Sequence, residues 1–384
     1  MKILIVLTYY RPHISGLTIY AELLANAFIA RGHEVTVLTS RHEKNLPLIE
    51  IRNKVRIVRA PVLMKISKGV VMPTFPALVA QLVKENDVVQ VHLPQFDSAI
   101  VALIAKALQK PTIITYHCDL IMPPGLIPWM ANQSVMFMNR VAAFFAARLV
   151  TYTSDYADHS QFLSKYRNKL QIIPPPVELP DVTRKQIEDY RKKTNPSGKR
   201  PVIGMAVRFA TEKGIEVVLD AMPEILANFP NAQLQFSGPY KDIRGEEHYI
   251  NRLMPRIHLL EDKGSWLFLG PQSHEEMALF YPNIDVLILP SLNATEAFGL
   301  VQIEAMISGT PCVASALPGV RQPVLRHKMG EVVPIGDSKA LAKALIKIFN
   351  QPASYQQDPQ EIRVTYLPDK IAAHYEQLIQ EIIS

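Results

Sequence analysis

Cysteine is almost missing from this chain: two residues, Cys118 and Cys312, occur in 384. Both sit beside apolar strand-like residues, which argues against a disulfide framework, favours buried unreactive thiols and makes a reducing cytosol the expected compartment. No zinc-ligand spacing is present, and no block of Lys and Arg interleaved with aromatics, so nucleic-acid recognition finds little support. A long uninterrupted apolar run is missing too. Residues 129–150 come nearest, but Asn132, Gln133, Asn139, Arg140 and Arg148 break the run before the about 18 uncharged residues of a membrane span accumulate. The apolar start, residues 1–7, leads straight into Tyr9-Tyr10-Arg11-Pro12 with no small-residue cleavage site, and reads as a buried first strand rather than an export signal.

What is present is the composition of a globular protein. Hydrophobic residues make up 48% and charged residues 20%, which argues against the disordered and fibrous classes. The net charge of +6 permits attraction to an anionic partner without telling a phosphate-bearing substrate from a lipid headgroup or a nucleic acid. A chain of 384 residues is expected to form two domains.

Strand-like runs alternate with helical patterns along the whole length, in two series, as in α/β domains with parallel sheets. The first series predicts strands at 2–8, 34–39, 55–60, 88–92, 112–117, 149–154 and 170–173. The second predicts strands at 202–207, 233–237, 267–269, 284–289 and 312–315, with helices near 214–228, 247–260, 274–281, 297–308 and 338–349. Between the series, Pro174, Pro175, Pro176 and Pro180 and the charged segment through Asn195-Pro196-Ser197-Gly198 read as a linker. The expected division is therefore a Rossmann-like domain 1–178, a linker 179–200, a second Rossmann-like domain 201–367, and a terminal helix 368–384 packing back on the first domain. Open parallel sheets bind ligands beyond the carboxyl ends of their strands, so two such sheets are expected to face each other across a cleft.

The densest chemical signal is Glu-Ala-Phe-Gly-Leu-Val-Gln-Ile-Glu, with Glu296 and Glu304 eight positions apart after a predicted strand. Phe298, Gly299 and Leu300 offer main-chain N–H groups at a helix start, where an anion can sit, and the two acids can hold hydroxyls on either side of it. A sugar joined to a nucleoside through a diphosphate has that layout. A glycosidase pair is the rival reading, but hydrolases set two carboxylates about 5 to 9.5 Å apart across one bond, with no anion-sized gap between them. Arg208 and Lys213 follow the strand at 202–207 and are placed to neutralise a diphosphate leaving group. His117 closes the strand at 112–117, where it can donate to a sugar hydroxyl or steady developing charge. Cys118 has no activating base beside it. Ser15-Gly16, in the first loop, lets backbone approach the sugar or a phosphate, a weak signal by itself, and Gly238 and Gly270 end strands that form a floor for the base, though plain turns explain these last two equally well.

These residues resemble the motif set of glycosyltransferase family 4, retaining nucleotide-sugar-dependent transferases of GT-B architecture. The likeness runs from Tyr10-Arg11-Pro12 to Gly16 and Arg31-Gly32-His33-Glu34 through Arg208 to Gly214, Glu296 to Glu304, Gly309-Thr310-Pro311 and Pro318-Gly319-Val320. It departs at Ser15-Gly16, where the family often has two glycines, and at Pro174-Pro175-Pro176, where it often has Pro-Asn-Gly. The resemblance implies that Arg208 and Lys213 contact the diphosphate, Glu304 the ribose, Glu296 the donor sugar and His117 the reacting face. It further implies front-face transfer with retention and no essential metal, and no Asp-x-Asp motif occurs.

The expectation is a cytoplasmic hexosyltransferase, active at the inner membrane face if peripheral association holds, with no cofactor. Its donor is UDP- or GDP-linked and its acceptor is a hydroxyl of a lipid or glycan in envelope or exopolysaccharide synthesis. The alternatives are another GT-B enzyme, an epimerase or phosphorylase, and a non-catalytic sugar-nucleotide-binding protein; oligomeric state is left open. Trp129, Met130, Met136, Phe137, Met138, Phe144 and Phe145, with Arg140 and Arg148, read either as a buried helix or as an apolar and basic membrane face.

Overall fold

The computed structural model describes residues 1–66, 69–122, 125–243 and 245–383; Ser384, the end of the expected terminal helix, lies outside them. The chain divides into two compact units, Met1–Val177 with Tyr366–Ser384, and Glu178–Thr365.

In the first unit the strands are β1 (Lys2–Val6), β2 (Glu34–Arg41), β3 (Ile49–Arg52), β4 (Val55–Pro61), β5 (Met64–Ile66), β6 (Gly69–Val71), β7 (Val88–Leu93), β8 (Thr112–Tyr116), β9 (Arg148–Thr151) and β10 (Leu170–Ile172). Helices α1 (Gly16–Ala30), α2 (Phe75–Glu85), α3 (Ser98–Ala107), α4 (Leu126–Phe145) and α5 (Ser154–His159) lie between them. The main sheet has the order β10-β9-β8-β7-β1-β2-β4-β3, parallel except for the β3–β4 hairpin, and β5 and β6 form a separate antiparallel pair. Strands β1, β7 and β8 read as near-continuous apolar runs because helices cover both faces of a parallel sheet, and Ile3, Leu4, Ile5, Val89, Val91, Ile113 and Ile114 are buried.

The second unit holds α6 (Arg184–Thr194), β11 (Val202–Ala206), α7 (Ile215–Asn228), β12 (Gln233–Ser237), α8 (Glu247–Glu261), β13 (Trp266–Gly270), α9 (His274–Phe280), β14 (Val286–Leu289), α10 (Leu300–Met306), β15 (Cys312–Ser315), α11 (Gln322–His327), β16 (Gly330–Val333), α12 (Ser338–Asn350) and α13 (Pro359–Tyr366). Its sheet is wholly parallel, in the order β13-β12-β11-β14-β15-β16. Both sheets reverse their winding direction once, between β1 and β7 in the first unit and between β11 and β14 in the second. At such a reversal two crossover connections part to opposite faces and leave a crevice beyond the strand ends.

The structure differs from the sequence reading at several boundaries. Residues 179–200, expected as a linker, contain α6: Thr183 accepts from the Gln186 N–H and Gln186 reaches back to the Thr183 N–H, a reciprocal cap that starts a helix four residues after Pro180. The apolar run 129–150 is two elements, the end of α4 and β9, separated at Ala146, whose extended backbone ends the helix. The helix expected at 297–308 begins only at Leu300. Strands β3, β5, β6 and β16 were not legible, being three or four residues long and too short to establish a period.

The last helix, α14 (Pro368–Ile383), closes the first unit. The Val177 N–H donates to the Tyr366 carbonyl at 2.9 Å where the chain leaves and re-enters this unit. Tyr375 of α14 is buried, and its hydroxyl meets Tyr20 of α1 at 2.7 Å and Thr115 of β8 at 2.9 Å, while Gln90 of β7 donates to Thr115. Arg31 bonds Asp369 and Glu376 at the rim, and His33 pairs with Glu376. Replacing Tyr375 by Phe keeps the ring, strands the buried Tyr20 hydroxyl and takes one of the two partners of Thr115, so it should destabilise the first unit by about 1–3 kcal/mol. Urea unfolding followed by near-ultraviolet dichroism checks this, and an unmoved midpoint counts against the network.

Candidate active site

In the second unit Lys213 and Glu296 meet at the winding reversal, while Gly238 and Gly270 stand at the ends of β12 and β13 beyond it. Two glycines bring the strand ends into contact. Gly214, at φ +70°, lies so close to β14 that a Cβ would fall 2.3 Å from the Pro290 carbonyl oxygen. Gly238, at φ +137°, lies so close to β11 that a Cβ would fall 2.0 Å from the Val207 carbonyl oxygen. No other residue fits either place. The Leu292 N–H donates to the Glu212 carbonyl at 2.9 Å, tying the loop after β14 to the loop after β11. Asn293 folds the former loop locally, accepting from the Thr295 N–H at 3.1 Å and its hydroxyl at 2.7 Å.

These contacts set Lys213 against Glu296, Nζ to Oε2 at 2.6 Å, with both side chains largely covered. Arg208 instead bonds Glu212. Burial pushes the Glu212 carboxyl up, but its own backbone N–H and the Arg208 guanidinium outweigh that, and the net shift is down. Glu304, one turn into α10, accepts from the hydroxyl of Tyr281. Burial raises the Glu304 carboxyl against the opposing pull of that hydrogen bond and of His274. Gly299 caps α10 in the left-handed conformation, the Phe298 side chain is buried, and Leu300 is half-buried. Phe298 thus offers only its backbone toward the loop, and its carbonyl is already held by the Gln302 amide at 2.9 Å. The Gly238 N–H donates to the Gly270 carbonyl at 2.8 Å, which joins the ends of β12 and β13.

Gly16 and His117 belong to the first unit. Gly16 opens α1 behind a reciprocal cap in which Ser15 and Thr18 satisfy each other's N–H groups. His117 follows β8 and is buried with both ring nitrogens engaged: Nε2 meets Nδ1 of His92 at 2.7 Å, and Nδ1 meets the Tyr152 hydroxyl. The edge of the Tyr20 ring packs on both imidazoles. Burial holds His92 at about 3, and burial together with the His92 ring holds His117 well below the ordinary histidine value. Both rings are therefore neutral near pH 7. As a neutral ring His117 can exchange hydrogen bonds with a hydroxyl. His92 and Tyr152 were missed in the sequence. The signal for His92 was its place at the end of β7, matching that of His117 beside it.

The helix α4 is turned inside out. Its inward face carries Asn139, Ala142 and Ala143, all fully buried, and Asn139 accepts from the Ser98 hydroxyl at 3.0 Å. Its outward face carries Leu126, Trp129, Met130, Phe137 and Phe144, of which Leu126 is 72% and Phe144 70% exposed. Of the residues expected either as core or as a membrane face, Trp129, Met130, Phe137 and Phe144 are exposed with Arg140, while Met136, Met138, Phe145 and Arg148 are half-buried.

Comparison with known proteins follows the same division. Residues 14–180 match the model of Glycosyltransferase Family 4 and residues 186–362 that of Glycosyl transferases group 1. The chain belongs to glycosyltransferase family 4. Among its relatives, the alpha-monoglucosyldiacylglycerol synthase of Streptococcus pneumoniae is 23% identical over 88% of this chain and 76% of that enzyme. The phosphatidyl-myo-inositol mannosyltransferase of Mycobacterium leprae is 34% identical over 38% of each. Solved structures share the GT-B architecture: Anabaena HepE in complex with UDP, at TM-score 0.77 and 18% identity over 99% of this chain and 100% of that one, and a sucrose-phosphate synthase from Thermosynechococcus elongatus, at 0.76 and 22% over 99% and 98%.

For this glycosyltransferase the neutral histidine pair has a measurable consequence. On unfolding in mild acid the chain takes up protons that the buried rings of His92 and His117 refuse, so stability is complete above the ordinary histidine value of 6.5 and falls as the pH drops below it. Replacing His92 by Gln should flatten that slope in the first unit. Nitrogen-15 spectra should show the wild-type rings still neutral below the ordinary histidine value; a His117 resonance titrating near 6.5 would contradict the buried pair.

Proposed function

We propose that this glycosyltransferase moves a hexose-type sugar, with retention at the anomeric carbon, from a UDP- or GDP-linked donor to a hydroxyl on a lipid acceptor at a membrane surface. The observation that carries the donor half is the meeting of Lys213 and Glu296 at the β11/β14 reversal, 2.6 Å apart. In this reading the diphosphate lies over the glycine-lined strand ends. Lys213 is then shared between Glu296 and a phosphate oxygen, and Arg208 exchanges part of its bond to Glu212 for the same anion. The amides at Gly299 and Leu300 supplement the two cations. Glu296, oriented by Lys213, holds hydroxyls of the sugar; Glu304, oriented by the Tyr281 hydroxyl, receives those of the ribose. His117 offers a neutral hydrogen bond to the sugar after releasing Tyr152 or His92. With the cations taking up the charge of the leaving phosphate, that phosphate can accept the acceptor's proton on the same face, which gives retention. Support for the donor class comes from HepE, whose structures include one with UDP-glucose.

The acceptor half rests on α4, whose apolar face is turned outward and carries Arg140. Such a helix suits the surface of an anionic bilayer at the cytoplasmic side, with Trp and Phe at headgroup depth. The relatives named for glucosyldiacylglycerol and phosphatidylinositol support a lipid substrate.

Glu296→Gln should keep nucleotide binding and lose most turnover, by about 100-fold or more, whereas Lys213→Ala should weaken both. Thermal-shift titration with UDP, GDP and ADP and their sugar conjugates, followed by proton NMR of the product's anomeric signal, checks donor and stereochemistry. Unchanged turnover in both variants defeats the donor assignment, and an inverted product defeats retention. For the acceptor half, Ile127→Glu with Phe137→Glu should lower recovery on anionic vesicles; recovery equal to wild type defeats docking through α4.

A further inference from the structure

We propose that the recess between the ends of α3 and α4 and the start of β8 binds the phosphate of an anionic membrane lipid, seating the far end of α4 on the bilayer. This rests on the membrane-surface reading above and assigns it a specific lipid contact.

The recess has a volume of about 610 Å³ and is lined by Lys106, Lys110, Lys169, Phe144, Phe145 and Ile382, with no acidic side chain in its wall among the described residues. Three ammonium groups around one concavity repel one another and call for an anion. Among the described residues neither Lys106 nor Lys110 has a carboxylate partner. Lys169 is held in place by the carbonyls of Phe144 at 2.7 Å, Ala146 at 2.9 Å and Ala143 at 3.2 Å, so its charge sits fixed on the negative end of α4. Burial lowers its pKa, and an anion beside it would restore the charged form.

The apolar wall decides for a lipid over a free anion. Phe144 is both a wall of the recess and the last member of the outward stripe, which repeats at Met130, Phe137 and Phe144, seven positions apart. Seven residues are about two helical turns, so the three stand in line along the axis. A bilayer that touches the stripe therefore brings headgroups to the three lysines and acyl chains to the aromatic rim. The wall includes Thr112, the first residue of β8, whereas His117 follows the last, so the lipid contact and the reacting end lie at opposite ends of that strand.

The test compares full-length wild type with the double variant Lys106→Gln, Lys110→Gln on vesicles of phosphatidylcholine alone and of equimolar phosphatidylcholine and phosphatidylglycerol. Wild type should partition onto the anionic vesicles, and the variant should lose about fivefold per lysine. Lys339→Gln with Lys343→Gln, an equal loss of charge on α12, should change nothing. Equal partitioning of wild type and the recess variant overturns the lipid site while leaving docking through α4 intact; wild type that remains in solution with both vesicles overturns both. Calorimetric titration with inorganic phosphate separates the other source: a saturable isotherm that the variant loses, with vesicle binding unaltered, assigns the recess to a free anion and overturns the proposal.

Discussion

The close approach of three backbone segments at the β11/β14 reversal is the constraint on which the second unit's chemistry depends. Side chains of any size at Gly214 or Gly238 would drive the loop after β11 away from Pro290 or from the end of β12. Lys213 and Glu296, 83 positions apart in sequence, would then lose the fixed separation that makes them a pair. The ion pair does not hold the loops together by itself. A pair of largely covered charges recovers little more than the cost of desolvating them, whereas the Leu292 to Glu212 hydrogen bond and the glycine contacts act through backbone that has nowhere else to go. The pair is better understood as a consequence of the fold that leaves an ammonium and a carboxylate held ready for exchange with a ligand.

The first unit reaches an ordered strand end by other means. Its reversal, between β1 and β7, is backed by hydroxyl and imidazole groups in place of glycine contacts. Tyr20 touches both halves of this arrangement: its hydroxyl meets Tyr375, and its ring edge covers His92 and His117. The terminal helix α14 is thereby coupled to the residue expected at the reacting face, through atoms that are all buried and mostly neutral. Low local polarity makes each bond in such a chain stronger and each missing partner more costly, so a hydrogen bond released by either imidazole has to be replaced by another.

The fold was legible in the sequence because parallel strands buried on both faces leave short apolar runs that recur between helical patterns. Strands near 2–8, 112–117, 202–207 and 312–315 were placed from composition alone, and the structure has β1, β8, β11 and β15 there. Residues at strand ends were legible for the same reason, since ligands gather beyond the carboxyl ends of parallel strands. Partners were not. Nothing in the neighbourhood of Glu304 points to Tyr281, 23 positions upstream, or in that of His117 to Tyr152, 35 positions on, because those contacts depend on strand order and side-chain direction. The charge state of His117 was hidden with them: a histidine is a cation or a neutral ring according to how deeply its neighbours bury it. The α6 helix was masked by proline and lysine content that resembles a linker, although the Thr183 and Gln186 cap was present to be read.

The α4 helix shows why composition could not decide between core and surface. Hydrophobic spacing reveals that one face differs from the other and leaves open which of the two points inward. Here the inward face must fit closely against α3, and small residues with one asparagine do so: Ala142 and Ala143 permit the approach, and Asn139 spends its carbonyl on Ser98 and the Gln95 N–H. Phe137 and Phe144 face out, and their exposure carries a standing cost of roughly 25 cal/mol for each Å² of apolar surface left in water. A helix of twenty residues that keeps such a stripe, beside a recess whose lysines have no carboxylate partner among the described residues, is stabilised by whatever removes that surface from water.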